Sequence, residues 1–368
     1  MLYLIRYSEI FLKSEFVKKR WEGTLIRNIK RVLDCKVRRE RGRIWVITDD
    51  EKAKEKLKKV FGIVSFSECY HCKLDELNDF IVEFCKRIGL DKAKTFAVRV
   101  KRVGEHDFTS QQKAAELGAI ILKAFPNLKV NLDDPEKTIF VEIRNQDCYV
   151  FHEIVRGVGG IPLGVEGKLV SLFSGGIDSP VATWMMMKRG CKIVPIYFDC
   201  SPFTDETTLK RAKAVAKILK EYDPDFELRI VEHGKFLLKV KEVLRVKRLE
   251  NYACIFCKRR MYRIAEKIAL EENAKGIVTG EALGQVASQT LDNLMVLNEA
   301  CKIPVYRPLI GLDKIEIEEI ARKIGTYEAS IMPAKGCTAV PKKPTTKAKL
   351  EKVIEIEKEL NFYDFSDL

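Results

Sequence analysis

The string Leu172-Phe173-Ser174-Gly175-Gly176-Ile177-Asp178-Ser179-Pro180 ends an apolar run, turns on two glycines and opens a helix. Glycines let backbone N–H groups approach an anion closely, and serine hydroxyls add donors. The helix start turns its positive dipole end toward the same point. Pro180 suits a first helical turn, where its missing N–H costs nothing. The string lacks the lysine of the GxxxxGK[ST] phosphate loop. Phosphates are the anions that such a turn at a helix start most readily binds. Asp178 would stand beside those phosphates as a ligand of Mg²⁺. Cys254-Ile255-Phe256-Cys257 leads into a basic helix that begins Lys258-Arg259-Arg260. A C-x₂-C pair suits metal ligation or redox chemistry, and the helix start and adjacent cations are expected to lower the thiol pKa.

Those residues need a scaffold, and the pattern from Lys168 onward supplies one. Leu169–Phe173, Lys192–Phe198, Glu227–Val231 and Gly276–Thr279 read as buried strands with helices between them. That alternation predicts a doubly wound parallel sheet, which binds ligands at the carboxyl ends of its strands. Residues 1–60 read as strand, helix, strand, helix, a ferredoxin-like fragment carrying the densest run of lysine and arginine. Residues 61–156 form a second α/β unit. Its strands are Phe96–Val100 and Thr138–Ile143, and its helix Ser110–Phe125 is capped at Thr109 or Ser110. A glycine-rich linker spans 157–167. The sheet domain runs 168–346, and 347–368 forms a tail with a Lys/Glu helix over Lys347–Leu360.

The 368 residues hold 66 Lys+Arg against 53 Asp+Glu, a net charge of +13 divided almost evenly between the two halves. An excess of that size favours a polyanionic partner, nucleic acid first. With 46% hydrophobic residues the chain can bury a core, which excludes disorder. It has no apolar run of membrane-spanning length and no leader signal. Its eleven cysteines are odd in number, which points to a reducing cytoplasm. Cys35, Cys69, Cys72, Cys85, Cys148, Cys191, Cys200 and Cys301 are expected to pack as small buried residues. His71, His106, His152 and His233 are read as structural or surface.

The Ser-Gly-Gly-x-Asp-Ser loop resembles that of the ATP pyrophosphatases (PP-loop, adenine nucleotide alpha hydrolase-like fold). With Thr279–Thr290, Arg307-Pro308-Leu309, Asp313-Lys314 and the opening Arg6-Tyr7-Ser8-Glu9-Ile10, the chain resembles the tRNA 4-thiouridine synthetases. Leu132–Ile143 resembles the end of a THUMP RNA-binding domain. The resemblance implies an α/β multidomain chain: ferredoxin-like domain, THUMP domain, PP-loop domain. It implies ATP contacts at Leu172, Phe173, Ser174, Gly175, Gly176, Ser179, Tyr197, Phe198, Lys258, Gly280 and Gln289. It gives Asp178, Lys314 and Cys337 catalytic roles.

The implied reaction is ATP-dependent transfer of sulfur to C4 of a uridine in tRNA through an adenylated uracil. Cys254, Cys257 and Cys337 would hold an iron–sulfur cluster with an open iron. Alternatives are a persulfide on Cys337 resolved by another cysteine, and a zinc site. The family's longer members end in a rhodanese domain. None is found here, which favours sulfide or an external persulfide carrier such as a cysteine desulfurase. A homodimer is also implied, and a contribution to thiamine synthesis is a further family role. The competing readings are a PP-loop enzyme that thiolates or amidates another RNA base, and a non-catalytic tRNA-binding protein.

Overall fold

The computed structural model describes every residue except Ser8, Arg41 and 360–368. Ser8 of the opening motif and Leu360 of the expected tail helix therefore lie outside the described residues. The chain divides into two compact units, one of Met1–Lys19 with Ile26–Gly159, the other of Arg20–Leu25 with the chain from Gly160 onward.

The N-terminal unit contains β1 (Leu2–Arg6), α1 (Glu15–Val32), β2 (Lys36–Glu40), β3 (Arg43–Ile47) and α2 (Ala53–Lys58). It continues with β4 (Ser65–Lys73), α3 (Leu77–Arg87), β5 (Thr95–Val103), α4 (Ser110–Ala124), β6 (Lys129–Val130), β7 (Lys137–Arg144), β8 (Asp147–Phe151) and β9 (Val155–Arg156). The strands form one sheet in the order β2-β3-β1-β4-β8-β7-β5-β6, with β9 on the start of β4. Strand β4 is long enough to serve two neighbours. Ser65–Cys69 pairs with β1, and Tyr70–Lys73 pairs with β8. Strand β2 escaped the sequence reading because Lys36, Arg38 and Arg39 hide its alternation. Helix α4 starts at Thr109, whose hydroxyl and the Gln112 side chain form a reciprocal capping box.

The C-terminal unit contains β10 (Lys168–Leu172), α5 (Asp178–Lys188), β11 (Lys192–Asp199), α6 (Glu206–Lys220), β12 (Arg229–Glu232), α7 (Gly234–Val246) and α8 (Ala253–Glu271). Then follow β13 (Ile277–Val278), α9 (Leu291–Asn298), β14 (Val305–Tyr306), α10 (Lys314–Ile324), α11 (Tyr327–Ser330) and α12 (Leu350–Glu359). The order β12-β11-β10-β13-β14, with every pair parallel, is the expected doubly wound sheet. The chain winds outward from β10 to β12 and then returns to β13 on the other side of β10. The loops after β10 and β13 therefore flank the point where strand order reverses, the crevice such sheets use for ligands.

Ile264, Ala265 and Ile268 of α8 pack on Val170, Ile196, Val231 and Ile277 of the sheet. The tail helix is shorter than its Lys/Glu pattern suggests. Buried Asn293 donates to the Thr345 carbonyl and accepts from the Ala348 N–H, which keeps 345–348 out of the helix.

Candidate active site

The turn after β10 is held by its two serines. The Ser179 hydroxyl lies 2.8 Å from the Ser174 N–H that donates to it and 3.0 Å from the Ser174 hydroxyl, and it donates to the Ser174 carbonyl at 3.1 Å. The Ser174 hydroxyl in turn accepts from the Gly176 N–H at 3.3 Å. The N–H groups of Gly175 and Ile177 have no partner among the described residues. A preshaped turn with spare donors at a helix start is suited to an anion. Gly175 must be glycine on packing grounds, since a Cβ there would lie 2.7 Å from the Ala212 nitrogen in α6.

Gly280, just past β13, lies against the same helix start. A Cβ at Gly280 would stand 2.6 Å from the Ser179 nitrogen. The next residue, Glu281, is almost wholly buried. It accepts from Lys258 at 3.0 Å, Arg307 at 2.8 Å, Tyr262 at 2.7 Å and Thr279 at 3.0 Å. Burial works to raise its carboxyl pKa, but the Lys258 and Arg307 charges and the Tyr262 hydroxyl outweigh it and hold the value down at about 2. Lys258 is thus committed to a carboxylate rather than waiting free for phosphate. Gln289 is buried, and its Oε1 has no hydrogen-bond partner among the described residues.

Lys314 arrives from the first turn of α10, where Asp313 and Glu316 form a second capping box. Its Nζ donates to Asp178 Oδ1 at 2.7 Å, and Gln285 Nε2 donates to Oδ2 at 3.3 Å. Two residues 136 positions apart thereby meet at the mouth of the loop. Among the described residues no three His, Cys, Asp or Glu side chains converge on one ion. Mg²⁺ needs no such cage, because one carboxylate plus nucleotide phosphates and water can hold it. Asp178 fits that part.

The thiols occupy a separate pocket. Cys257 and Cys337 pack against Cys200, Phe203, Leu237 and Ala339. Thr338 ties the Cys337 segment to the Phe203 carbonyl at 2.9 Å, and Ser330 reaches the Gly176 carbonyl at 3.4 Å. Helix α8, which carries Cys254, Cys257 and Lys258, is fixed by Arg259 and Arg263. Both donate to the wholly buried Glu357 of α12, at 2.6–2.8 Å. Arg260 donates to His233 Nδ1 at 3.1 Å, so the proton of this neutral ring sits on Nε2, 3.3 Å from Cys257 Sγ. Burial first, then Arg260, lowers the His233 pKa to about 3.

The expected thiol activation is not what the pocket provides. Burial raises the Cys254 and Cys337 pKa values, and contact with Cys200 followed by burial raises that of Cys257. Lys258, paired with Glu281, still lowers the Cys254 value, but burial outweighs it. An iron–sulfur cluster takes one thiolate per iron, so its cysteines need not converge on one point. Cys254, Cys257 and Cys337 are near enough for their charges to act on one another, and they are the thiols that would hold it.

The structure thus gathers Ser174, Gly175, Gly176, Asp178, Ser179, Gly280 and Lys314 around one turn. Leu172 ends β10, and the Phe173 N–H is already bonded to the Ile196 carbonyl at 2.8 Å. Tyr197 is buried beside Thr208, their hydroxyls 2.7 Å apart. The Phe198 ring meets His233 and so borders the thiols. Glu281 and Arg307 each lie inside a quoted motif, though nothing local marks their pairing with each other. Cys200 and His233 are buried as expected but come to lie beside Cys257. Cys35 and Cys301 are half-buried rather than buried. Cys69 and Cys72 are buried as expected, Cys72 opposite Cys148 on the neighbouring strand.

Three family descriptions match: thiamine biosynthesis protein (ThiI) over residues 164–362, the ThiI ferredoxin-like domain over 2–67 and the THUMP domain over 72–153. A probable tRNA sulfurtransferase of Methanothermobacter thermautotrophicus is 42% identical, across 97% of this chain and 93% of the relative. One from Methanocaldococcus jannaschii is 40% identical, across 97% and 96%. A 4-thiouridine synthetase crystallised with RNA and bound ATP is 39% identical, covering 98% of this chain and 94% of its own, with a TM-score of 0.89.

Proposed function

The chain belongs to the ThiI family, and from that premise we propose that it transfers sulfur to C4 of a uridine in tRNA at the expense of ATP. The observation that carries this reading is the contact of Lys314 with Asp178, 2.7 Å, over a serine-pinned turn at the sheet's switch point. In this reading the free N–H groups of Gly175 and Ile177 and the start of α5 bind the phosphates. Asp178 would hold Mg²⁺ beside those phosphates, and Lys314, now on Asp178, would supply a positive charge to them. Leu172, Phe173, Tyr197, Phe198, Gly280 and Gln289 form the rest of the nucleotide site, with the unpartnered Gln289 Oε1 as an acceptor. Lys258 acts through Glu281.

Uracil O4 attacks the α-phosphorus. The new O–P bond forms as the bond to the bridging oxygen breaks and pyrophosphate leaves. Adenylation turns the poor C4 oxygen leaving group into AMP, and sulfide then adds at C4 and expels AMP. From a Cys337 persulfide the outer sulfur attacks C4 instead, and a second thiol cleaves the resulting C4–S–S–Cys337 link as it forms a disulfide with Cys337. Cys254, Cys257 and Cys337 handle sulfur. An iron–sulfur cluster held by them would supply an iron that binds sulfide, and a persulfide on Cys337 is the alternative. The donor is sulfide or an external persulfide carrier, the oligomer a homodimer and the compartment the cytoplasm.

The N-terminal unit offers a surface for RNA. A cavity of about 360 Å³ is lined by Arg6, Arg43, Arg99, Lys101, Phe140 and Phe151, among others. Cations beside stacked aromatic rings suit unpaired nucleotides. The domain division proposed is 1–60, 61–156, a linker over 157–167, 168–346 and the tail.

The test is anaerobic incubation with unmodified tRNA, ATP, Mg²⁺ and sulfide. Near-ultraviolet absorbance of thiouridine and release of pyrophosphate are expected, and loss of both would overturn the reading. Iron and zinc analysis of anaerobically purified protein decides the sulfur chemistry.

A further inference from the structure

Two of the cations near the nucleotide site are already neutralised. Lys314 pairs with Asp178 and Lys258 with Glu281. Arg211, in the second turn of α6, is different. Among the described residues it has no carboxylate partner, and its Nε is buried without a hydrogen bond. Its Nη1 reaches only the Met332 carbonyl, at 3.4 Å. Leaving a guanidinium N–H buried and unsatisfied is costly unless something else completes it.

The position of Arg211 says what that could be. Gly175, in the middle of the loop, packs on the backbone of Arg211 and Ala212. A Cβ on Gly175 would lie 3.0 Å from Arg211 Cγ. The phenol of Tyr197 is raised chiefly by burial, and the Arg211 charge acts on it in the opposite direction. Met332 begins the stretch that leads to Cys337, and Lys335 in that stretch donates its N–H to Thr207 on α6 at 3.1 Å. One uncompensated guanidinium therefore stands between the anion loop and the thiol-bearing segment.

We propose that Arg211 binds the phosphates that leave as pyrophosphate, and that its bond to Met332 links occupancy of the loop to the segment carrying Cys337. This rests on the nucleotide reading of the Ser174–Ser179 loop. A guanidinium presents a fork of donors to phosphate oxygens. It would meet the negative charge that accumulates on the departing bridging oxygen as uracil O4 bonds to the α-phosphorus.

The test is calorimetric titration of the full chain, with Mg²⁺, by ATP, pyrophosphate and AMP, for wild type, Arg211→Met and Arg211→Lys. Circular dichroism serves as the folding control. Arg211→Met is expected to weaken pyrophosphate and ATP by about tenfold or more and AMP by less than about twofold, because AMP lacks the contacted phosphates. Arg211→Lys, which keeps the charge but not the fork, should fall between and stands in if the methionine variant does not fold. Pyrophosphate should change the rate at which iodoacetamide alkylates Cys337 in wild type and not in Arg211→Met. Unchanged pyrophosphate affinity in the folded variants, or equal losses for AMP and pyrophosphate, would overturn the proposal. Wild type that binds neither ATP nor pyrophosphate would instead remove the nucleotide reading on which it rests.

Discussion

In the C-terminal unit the anion site is built from backbone: a serine-pinned turn, spare N–H groups and a helix start, with Lys258 and Lys314 held on carboxylates. In the N-terminal unit the cavity under Arg6, Arg43, Arg99 and Lys101 is built from side chains on strands, floored by Phe140 and Phe151 with ring centroids 5.2 Å apart. The first arrangement fixes donors to a fraction of an ångström and suits one phosphate chain in one pose. The second offers Arg6, Arg99 and Lys101 beside the half-buried Phe140 ring, with Arg43 held on Glu142 at 3.1 Å, and tolerates many nucleotide conformations. Chemistry demands the former and docking the latter, so perturbing each unit should affect different observables.

The largest separation is expected from Asp178→Asn. The turn stays pinned by Ser174 and Ser179, but the metal-binding carboxylate and the partner of Lys314 are lost. Thiouridine formation should fall by about 10³-fold, the scale of losing a transition-state electrostatic contact. tRNA affinity, measured by filter binding, should stay within about twofold. A comparable loss of both would mean that the two units do not divide the work.

Glu281→Gln comes next, and it reads stability. Removing one member of a buried charge cluster costs about 3–5 kcal/mol, because the Lys258 and Arg307 charges are left facing each other. The pH dependence has a definite sign. The folded carboxyl, at about 2, lies below its ordinary value of 4.5. Its stabilising contribution is therefore full above the unfolded pKa and is lost as pH falls toward about 2. Denaturant midpoints measured from pH 6 down to 3 should decline less steeply in Glu281→Gln than in wild type. Parallel declines would show that Glu281 is not the group titrating.

Gly280→Ala should have a smaller and more local effect. The added methyl must displace the Ser179 backbone, so KM for ATP should rise by about tenfold while the melting temperature moves by only a few degrees. An unchanged KM would mean that the loop position is not set by this contact.

How much of this could be read in the sequence follows from how local each feature is. The loop and four of the five strands of the parallel sheet lie in short windows whose periodicity or turn chemistry is explicit. Even so, β12 proves mostly exposed rather than buried, and the two-residue β14 is too short to show a pattern. Strand β2 was not legible, because an edge strand of lysine and arginine shows no apolar alternation. The helix expected from Lys347 begins only at Leu350, because Asn293, some fifty residues away, captures the backbone of Thr345 and Ala348. Cys200 and His233 looked like packing residues because their role depends on the approach of α8 from another part of the chain. The thiol pKa values rise rather than fall because burial, with the Cys200 contact at Cys257, outweighs the neighbouring charge. The basic residues beside Cys257 in sequence point to Glu281, Glu357 and His233 in space.

The smallest effect is expected at the rim of the N-terminal cavity. Lys101 is exposed, and its contribution to RNA binding would be the release of condensed counterions from a single phosphate. Lys101→Ala should therefore weaken tRNA binding only about two- to fivefold near physiological salt. It should also reduce the slope of log affinity against log salt by roughly one. Turnover at saturating tRNA should not change, because no step at the PP-loop depends on that charge. Phe140→Ala is the companion measurement. Loss of a stacking platform should weaken binding without altering the salt slope, since a ring releases no counterion. If Lys101→Ala left the slope intact while Phe140→Ala reduced it, the cavity would not be reading RNA through cations and rings in the way its lining suggests.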